Sequence, residues 1–253
     1  MRRDSKKVTQ SLYHYTSSRG LIGILEQKKI WATHINYLND KKEFIDAVDK
    51  FRRQTEKYGP VLEILQIFRE AIYVTSFSEE RDQLSQWRGY CAIGPGFSIG
   101  FNRAKLKKLV KRIPTGLLKK CIYEPRVKEK KIERIIKPAE SVNLNGRDFL
   151  LGMINKMLRI APYFKDESFK EEKEWRLALV EGGNVLFREG DSLIIPYVEV
   201  ELKDENGNLP IDNIVIGPTL NMQESHSSLK LLLEKHKISA NIEESRIPYR
   251  PGL

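Results

Sequence analysis

Apolar positions along the chain recur with two periods. Leu21, Ile22, Ile24 and Leu25 follow Ser17 and Ser18, either of which can cap a helix, and Phe44, Val48 and Phe51 follow Asp40 at helical spacing. Further helices are expected over residues 61–68, 103–113, 149–160 and 229–236, with a polar one over 79–90. Phe97, Ile99 and Phe101 alternate with small residues, the signature of a strand with one face on a core. The same reading predicts strands over 12–15, 30–35, 71–77, 120–123, 174–180, 193–199, 213–216 and 238–242, and Gly94, Pro95 and Gly96 force a turn. Helices crowd into the first two thirds and strands become denser after Glu172. That order is too irregular for a doubly wound parallel sheet, so the expected class is α+β with a mixed β core. With no Gly/Ser- or Pro-rich linker, residues 11–253 read as a single domain behind a flexible basic tail at 1–10.

Composition narrows the setting. No apolar run has signal-peptide or bilayer-spanning length, so a soluble, cytoplasmic protein without a membrane partner is expected. Cys91 and Cys121 lack CxxC spacing, and His14, His34, His226 and His236 are scattered, so neither a disulfide framework nor a metal site is expected. The net charge of +10 is concentrated: residues 102–137 hold fourteen Lys or Arg against Glu124, Glu129 and Glu133. Lys105, Lys108, Lys111, Arg112, Lys119, Lys120, Lys130 and Lys131 are therefore candidate contacts for a nucleic acid or other polyanion. The plainer alternative is the solvated side of an amphipathic helix whose apolar side is Leu106, Leu109, Val110 and Ile113.

The richest chemistry lies in Glu-Lys-Glu-Trp-Arg at 172–176. In an extended strand Glu172, Glu174 and Arg176 share a face, away from Lys173, Trp175 and Leu177. Facing a cleft, one carboxylate is held ionised by Arg176 while the other hydrogen-bonds a sugar hydroxyl as positive charge grows on the neighbouring ring carbon, as glycosidic cleavage demands. Facing solvent, the same residues make an ordinary salt-bridged strand. His14, between Tyr13 and Tyr15, is either a site residue or a structural histidine. Asn36, Asn39, Asp40 and Glu43 cluster after the second strand, where helix capping by Asp40 explains much of the pattern and a role in gripping substrate is the alternative. Gly96-Phe-Ser-Ile-Gly100 matches the nucleophile-elbow spacing around Ser98, with Asp212 and His226 following in hydrolase order, but the alternation runs strandwise through the serine.

Taken in order, residues 12–17 (LYHYTS), Trp31, LND..E at 38–43, SFSE at 76–79 with Trp87 and Tyr90, GFSIGF at 96–101, and EKEWR resemble an uncharacterised bacterial family, one of the numbered domains of unknown function. That family in turn resembles the ADP-ribosyltransferase superfamily, in its polymerase and diphtheria-toxin branch and in the DarT-type toxins that modify DNA. The resemblance implies an ADP-ribosyltransferase-like fold and NAD as co-substrate. It implies a toxin or phage-defence effector whose target is a nucleic acid or an acidic protein. By it, His14 binds a ribose hydroxyl beside Thr16, Tyr90 stacks on nicotinamide with Ser76 supporting the pocket, and Glu174 stabilises the ribosyl cation near Arg176. Glu172 makes an ExE pair with Glu174 like that of the arginine-modifying branch, and Tyr15 stands where the polymerase branch has glycine. The alternatives are a non-catalytic nucleic-acid-binding module on a degenerate transferase fold and, third, a serine hydrolase using Ser98.

Overall fold

The computed structural model describes residues 11–56, 71–91, 96–141, 147–180, 184–190 and 192–248. The expected basic tail, the helix over 61–68, and Gly94 and Pro95 of the expected turn lie outside them. In chain order the elements are β1 (Ser11–Ser17), α1 (Ser18–Gln27), β2 (Lys29–His34), α2 (Lys41–Thr55), β3 (Ile72–Ser78), α3 (Leu84–Tyr90), β4 (Gly96–Asn102), α4 (Arg103–Val110) and β5 (Leu117–Lys120). They continue with α5 (Pro125–Ser141), α6 (Arg147–Leu158), β6 (Glu174–Val180), β7 (Leu186–Glu189), β8 (Ile194–Glu201), β9 (Ile211–Ile216), α7 (Met222–Lys235) and β10 (Asn241–Glu244). This is an α+β fold with a mixed sheet. Among the described residues no helix is long and apolar enough to cross a membrane.

The chain divides into two compact units. The first takes in Met1–Ile30, Phe77–Arg112 and Glu201–Leu253, the second Trp31–Ser76 and Ile113–Val200. In the first, β1 and β9 flank β4 antiparallel, with Tyr15 opposite Ser98 and Ile99 opposite Ile214, and β10 joins β9 in parallel. Ser17 caps α1 through the Gly20 amide, and Lys28 closes the helix at φ 55°. Tyr15, Trp87, Cys91 and Val215 pack together, the Tyr15 and Trp87 rings meeting edge-on at 4.7 Å.

The polar groups around this cluster explain where α3 starts. The Tyr15 hydroxyl donates to the Glu80 carbonyl at 2.8 Å and accepts from the Gln83 amide at 3.1 Å. The Glu80 amide donates to Ser78 Oγ. Residues 79–83, expected to be helical, are thereby held as a loop, and the helix begins only at Leu84. Asp82 in that loop accepts from Trp87 Nε1 (2.8 Å), Ser245 Oγ (2.6 Å) and the Arg246 amide (2.8 Å). A methyl at Gly100 would meet Asn213 Oδ1 at 2.0 Å and Tyr13 at 2.9 Å, so glycine there is what lets those side chains cross β4.

In the second unit three helices cover one core. Phe44, Val48 and Phe51 of α2, Ile132, Ile135 and Ile136 of α5, and Met153, Ile154 and Met157 of α6 pack with Ile72, Val74 and Ala178 from strands. Helix α5 is absent from the expected elements: its buried positions, Ile132, Ile135 and Ile136, lie among a dense run of Lys, Arg and Glu. Strand β6 lies between β3 and β5, and β5 pairs over Leu117–Lys120 rather than the expected 120–123. The reason is local. The amide of Cys121 still donates across to the Glu174 carbonyl, but that of Ile122 turns to the Tyr163 carbonyl, which ends the ladder. Strand β7, also unforeseen, forms an antiparallel hairpin with β8.

Replacing Asp82 by Ala strands the buried Trp87 indole N–H and two donors near the C-terminal strand. The expected loss is about 2 kcal/mol, read from the urea unfolding midpoint, with Asp82→Asn recovering part of it.

Candidate functional site

The chemistry-bearing residues of the second unit converge at the head of β6. A 3₁₀ turn over Glu167–Glu172, capped by Asp166 through the Ser168 amide, delivers the chain to Lys173, which takes a left-handed conformation at φ 44°. A non-glycine residue there carries a strain of order 1 kcal/mol, a cost met by the bonds on either side. Glu172 is thus outside the strand, contrary to the expected shared strand face with Glu174 and Arg176. The turn at Lys173 nevertheless brings both carboxylates to one cation, Lys165 Nζ, at 2.6 Å each.

The backbone of Glu174 is held from two sides. Its amide donates to Tyr123 Oη at 2.7 Å, and its carbonyl accepts from Cys121. Lys165 is placed by its own amide, which donates to the Ile122 carbonyl at 3.1 Å. Arg176 then completes the group. Its Nε and Nη2 donate to the two oxygens of Glu174 at 2.8 and 3.2 Å, Nη1 to the Pro162 carbonyl at 2.9 Å, and Nη2 also to Asp40. Asp40 lies 3.2 Å from Lys165 Nζ as well.

Asp40 therefore does something other than expected. It occupies the position before α2, but its side chain makes no capping hydrogen bond. Its carboxylate is committed to Arg176 and Lys165. The solvent-facing alternative for the EKEWR strand is also excluded, because Glu174 and Arg176 are 3% and 2% exposed. Burying such charges is costly unless each is paired, and here the pairing is extensive.

The electrostatics divide the two glutamates. Burial works against the charge on Glu174, but Arg176 and Lys165 outweigh it and hold its carboxyl down at about 2. Glu172 shifts the opposite way: burial raises it, and Lys165 only partly offsets this. Burial likewise opposes the Lys165 charge, but Glu174 and Asp40 raise its affinity for the proton. Among the described residues, three carboxylates (Asp40, Glu172, Glu174) gather on two cations (Lys165, Arg176). Glu172, with its side chain 16% exposed, stands at the margin. Among the described residues, no set of three His, Cys, Asp or Glu is arranged to hold a metal ion.

The other candidate residues fall as follows. His14 lies half-buried in β1 with its ring 5.9 Å from Phe77, Thr16 is two residues on, and Tyr90 ends α3 at 49% exposure; all belong to the first unit. Ser76 lies in the part of β3 that belongs to the second unit with Glu172, Glu174 and Arg176. The basic segment is shared between the units. Lys105, Lys108, Lys111 and Arg112 are exposed along and just after α4, whose buried side is Leu106, Leu109 and Val110, as the amphipathic alternative expects; Arg112 pairs with Glu205. In the second unit Lys120 and Lys130 are exposed and Lys131 half-buried. Lys119 donates to the Arg159 carbonyl over the Tyr163 ring, and burial, aided by Arg159 and Lys131, lowers its pKa. Ser98 is fully buried within β4, which runs on to Asn102, and Asp212 is engaged by Ser11 and Asn102; the strand–turn–helix elbow is not the geometry here.

Lys165 was not singled out in the sequence. The available signal is slight: a lysine ending the apolar run Ala161, Pro162, Tyr163 and Phe164. A family model described as a protein of unknown function, DUF2971, matches residues 86–177, less than half of the chain. The match includes Trp87, Tyr90, Lys165, Glu172, Glu174 and Arg176. No curated protein and no solved structure matches.

Two outcomes are expected. Asparagine caps a helix as well as aspartate does, so Asp40→Asn would be neutral if Asp40 were a cap. Because its charge is what Arg176 and Lys165 use, Asp40→Asn should instead lower stability by about 2 kcal/mol in urea titrations. The depressed pKa of Glu174 adds stability that is complete above its ordinary value of 4.5 and is lost as pH falls toward about 2. That shift is worth up to roughly 3 kcal/mol, so the urea midpoint should drop progressively between about pH 5 and about pH 2.

Proposed function

We propose that this chain is an NAD-consuming ADP-ribosyltransferase whose reacting carboxylate is Glu172, with Glu174 as the positioning residue behind it. One observation carries the reading: Glu172 shares Lys165 with the enclosed Glu174, and of these two carboxylates it is the one that keeps an exposed edge at the head of β6. In a dissociative transfer the bond between ribose C1′ and the nicotinamide nitrogen breaks, its electron pair leaves with nicotinamide, and positive charge spreads over C1′ and the ring oxygen. A fixed negative group beside that sugar stabilises the transition state more than the ground state. Glu174 suits the contacting role less well, being enclosed and neutralised by Arg176 and Lys165. Glu172 keeps an exposed edge while Lys165 fixes its orientation.

The resemblance assigns roles to other residues, each taken within its own unit: His14 and Thr16 to ribose hydroxyls and Tyr90 to nicotinamide in the first, Ser76 to nicotinamide in the second. The exposed lysines of α4 steer a nucleic acid or acidic protein acceptor, as befits a toxin or phage-defence effector. The same lysines favour the second reading, a nucleic-acid-binding module without turnover. Nicotinamide release separates the two.

Wild-type protein incubated with NAD is expected to release nicotinamide, and Glu172→Gln to lower the rate by roughly a hundredfold or more. Because burial raises the Glu172 pKa, its ionised form is a net burden to the fold above the ordinary carboxylate range. Glu172→Gln should therefore keep or raise the thermal midpoint, whereas Glu174→Gln removes the buried carboxylate that both Arg176 and Lys165 contact and should lower it. The acid limb of the pH–rate profile should have its midpoint above 4.5. Undiminished nicotinamide release by folded Glu172→Gln would refute the assignment.

A further inference from the structure

We infer that one face of the β2–β8–β7 strands is a stacking platform for single-stranded nucleic acid, a surface distinct from the charge group at β6 and independent of the transferase reading. Trp31 and Thr33 are two apart in β2 and so project to the same side. On β8 and β7, Tyr197 stands directly opposite Leu186, and Ile195 opposite Arg188, so these four also share a face. Contacts join the strands into one surface. The Trp31 and Tyr197 rings lie 4.5 Å apart, the Arg188 guanidinium sits 6.0 Å from the Trp31 ring centre, and its Nη2 reaches Thr33 Oγ1 at 3.4 Å.

Two features of this surface call for a ligand. Trp31 is 40% exposed, whereas Trp87 and Trp175 are 1% and 9% exposed and serve the core. Arg188 is half-buried, and among the described residues no carboxylate pairs with it. Its Nε is buried without a hydrogen-bond partner. A half-buried guanidinium that has lost part of its hydration without gaining an anion is costly to the free protein, and burial accordingly lowers its pKa. A phosphate would supply the missing acceptor. An unstacked base would cover the exposed indole, with Tyr197 already bracing it from beneath. Stacking on an aromatic platform with a cation beside it is the common solution for unpaired strands, since every base has a π-face but duplex bases are already stacked. Glu199, two residues beyond Tyr197 on the same strand, bounds the site at its other end, so the phosphates run on the Arg188 side.

Binding of a mixed-sequence single-stranded oligonucleotide of about ten nucleotides, a length within the usual site sizes, tests this by anisotropy and by quenching of tryptophan emission. The wild-type protein should bind with quenching. Trp31→Ala should weaken binding about tenfold or more and remove the quenching, while Trp31→Phe keeps most of the affinity. Arg188→Gln should flatten the dependence of log affinity on log salt by about 0.7, one phosphate contact on a single strand. Thermal unfolding of each variant separates loss of fold from loss of site. The inference is overturned if wild-type protein does not bind, or if folded Trp31→Ala and Arg188→Gln bind as the wild type does. It is equally overturned if a duplex of the same sequence binds as tightly, or if AMP alone quenches at the same concentration, which would make the occupant a free nucleotide.

Discussion

Arg176 is the constraint on which the second unit turns. A guanidinium enclosed at 2% exposure must satisfy its donors inside the protein, and it does so on Glu174, Asp40 and the Pro162 carbonyl. Those partners come from the strand itself, from the entry to α2 and from the segment before Lys165. One side chain thus ties together three stretches far apart in the chain. Hydrophobic packing of α2, α5 and α6 supplies the bulk of the burial, but it does not choose the register of these polar groups. The ion pairs do, because any slip leaves a charge unpaired in a poorly hydrated place, which costs several kcal/mol.

The same group shows how two glutamates a single residue apart are given different characters. Glu174 is bonded at its amide, at its carbonyl and through both carboxylate oxygens, and is held firmly ionised. Glu172 shares Lys165 with it and retains a foothold at the surface. Environments that push neighbouring acids apart are a recurring way of assigning fixed and reactive roles within one site. The left-handed turn at Lys173 makes this division feasible, since a continuous strand would have set the two side chains in equivalent positions.

Much of the fold could be read from periodicity: the helix beginning near Ser18, the α2 stripe of Phe44, Val48 and Phe51, and the alternation through β4 all recur in the structure. What escaped did so for definite reasons. Helix α5 hides three isoleucines among charges, and the loop at 79–83 has helical composition but is pinned by a tyrosine more than sixty residues away. Within the charge group, Glu172, Glu174 and Arg176 were legible because they lie together in sequence. Lys165 carried no motif, and Asp40 fitted a capping pattern so well that its commitment to Arg176, 136 positions on, had no sequence signal. Local patterns disclose local structure; a buried cation finds its acids through the fold.

The arrangement of β4 has a bearing on how the polypeptide acquires its form. Its partners are β1, near the start, and β9, which begins at Ile211. During synthesis the ribosome therefore releases β4 long before one of its edges can be closed, and an apolar strand with free amides and carbonyls waits while more than a hundred further residues are made. Non-local pairing of this sort slows maturation and lengthens the interval in which nascent chains stick to one another. That interval follows from the order of the strands along the chain and is the same whatever the eventual strength of the core.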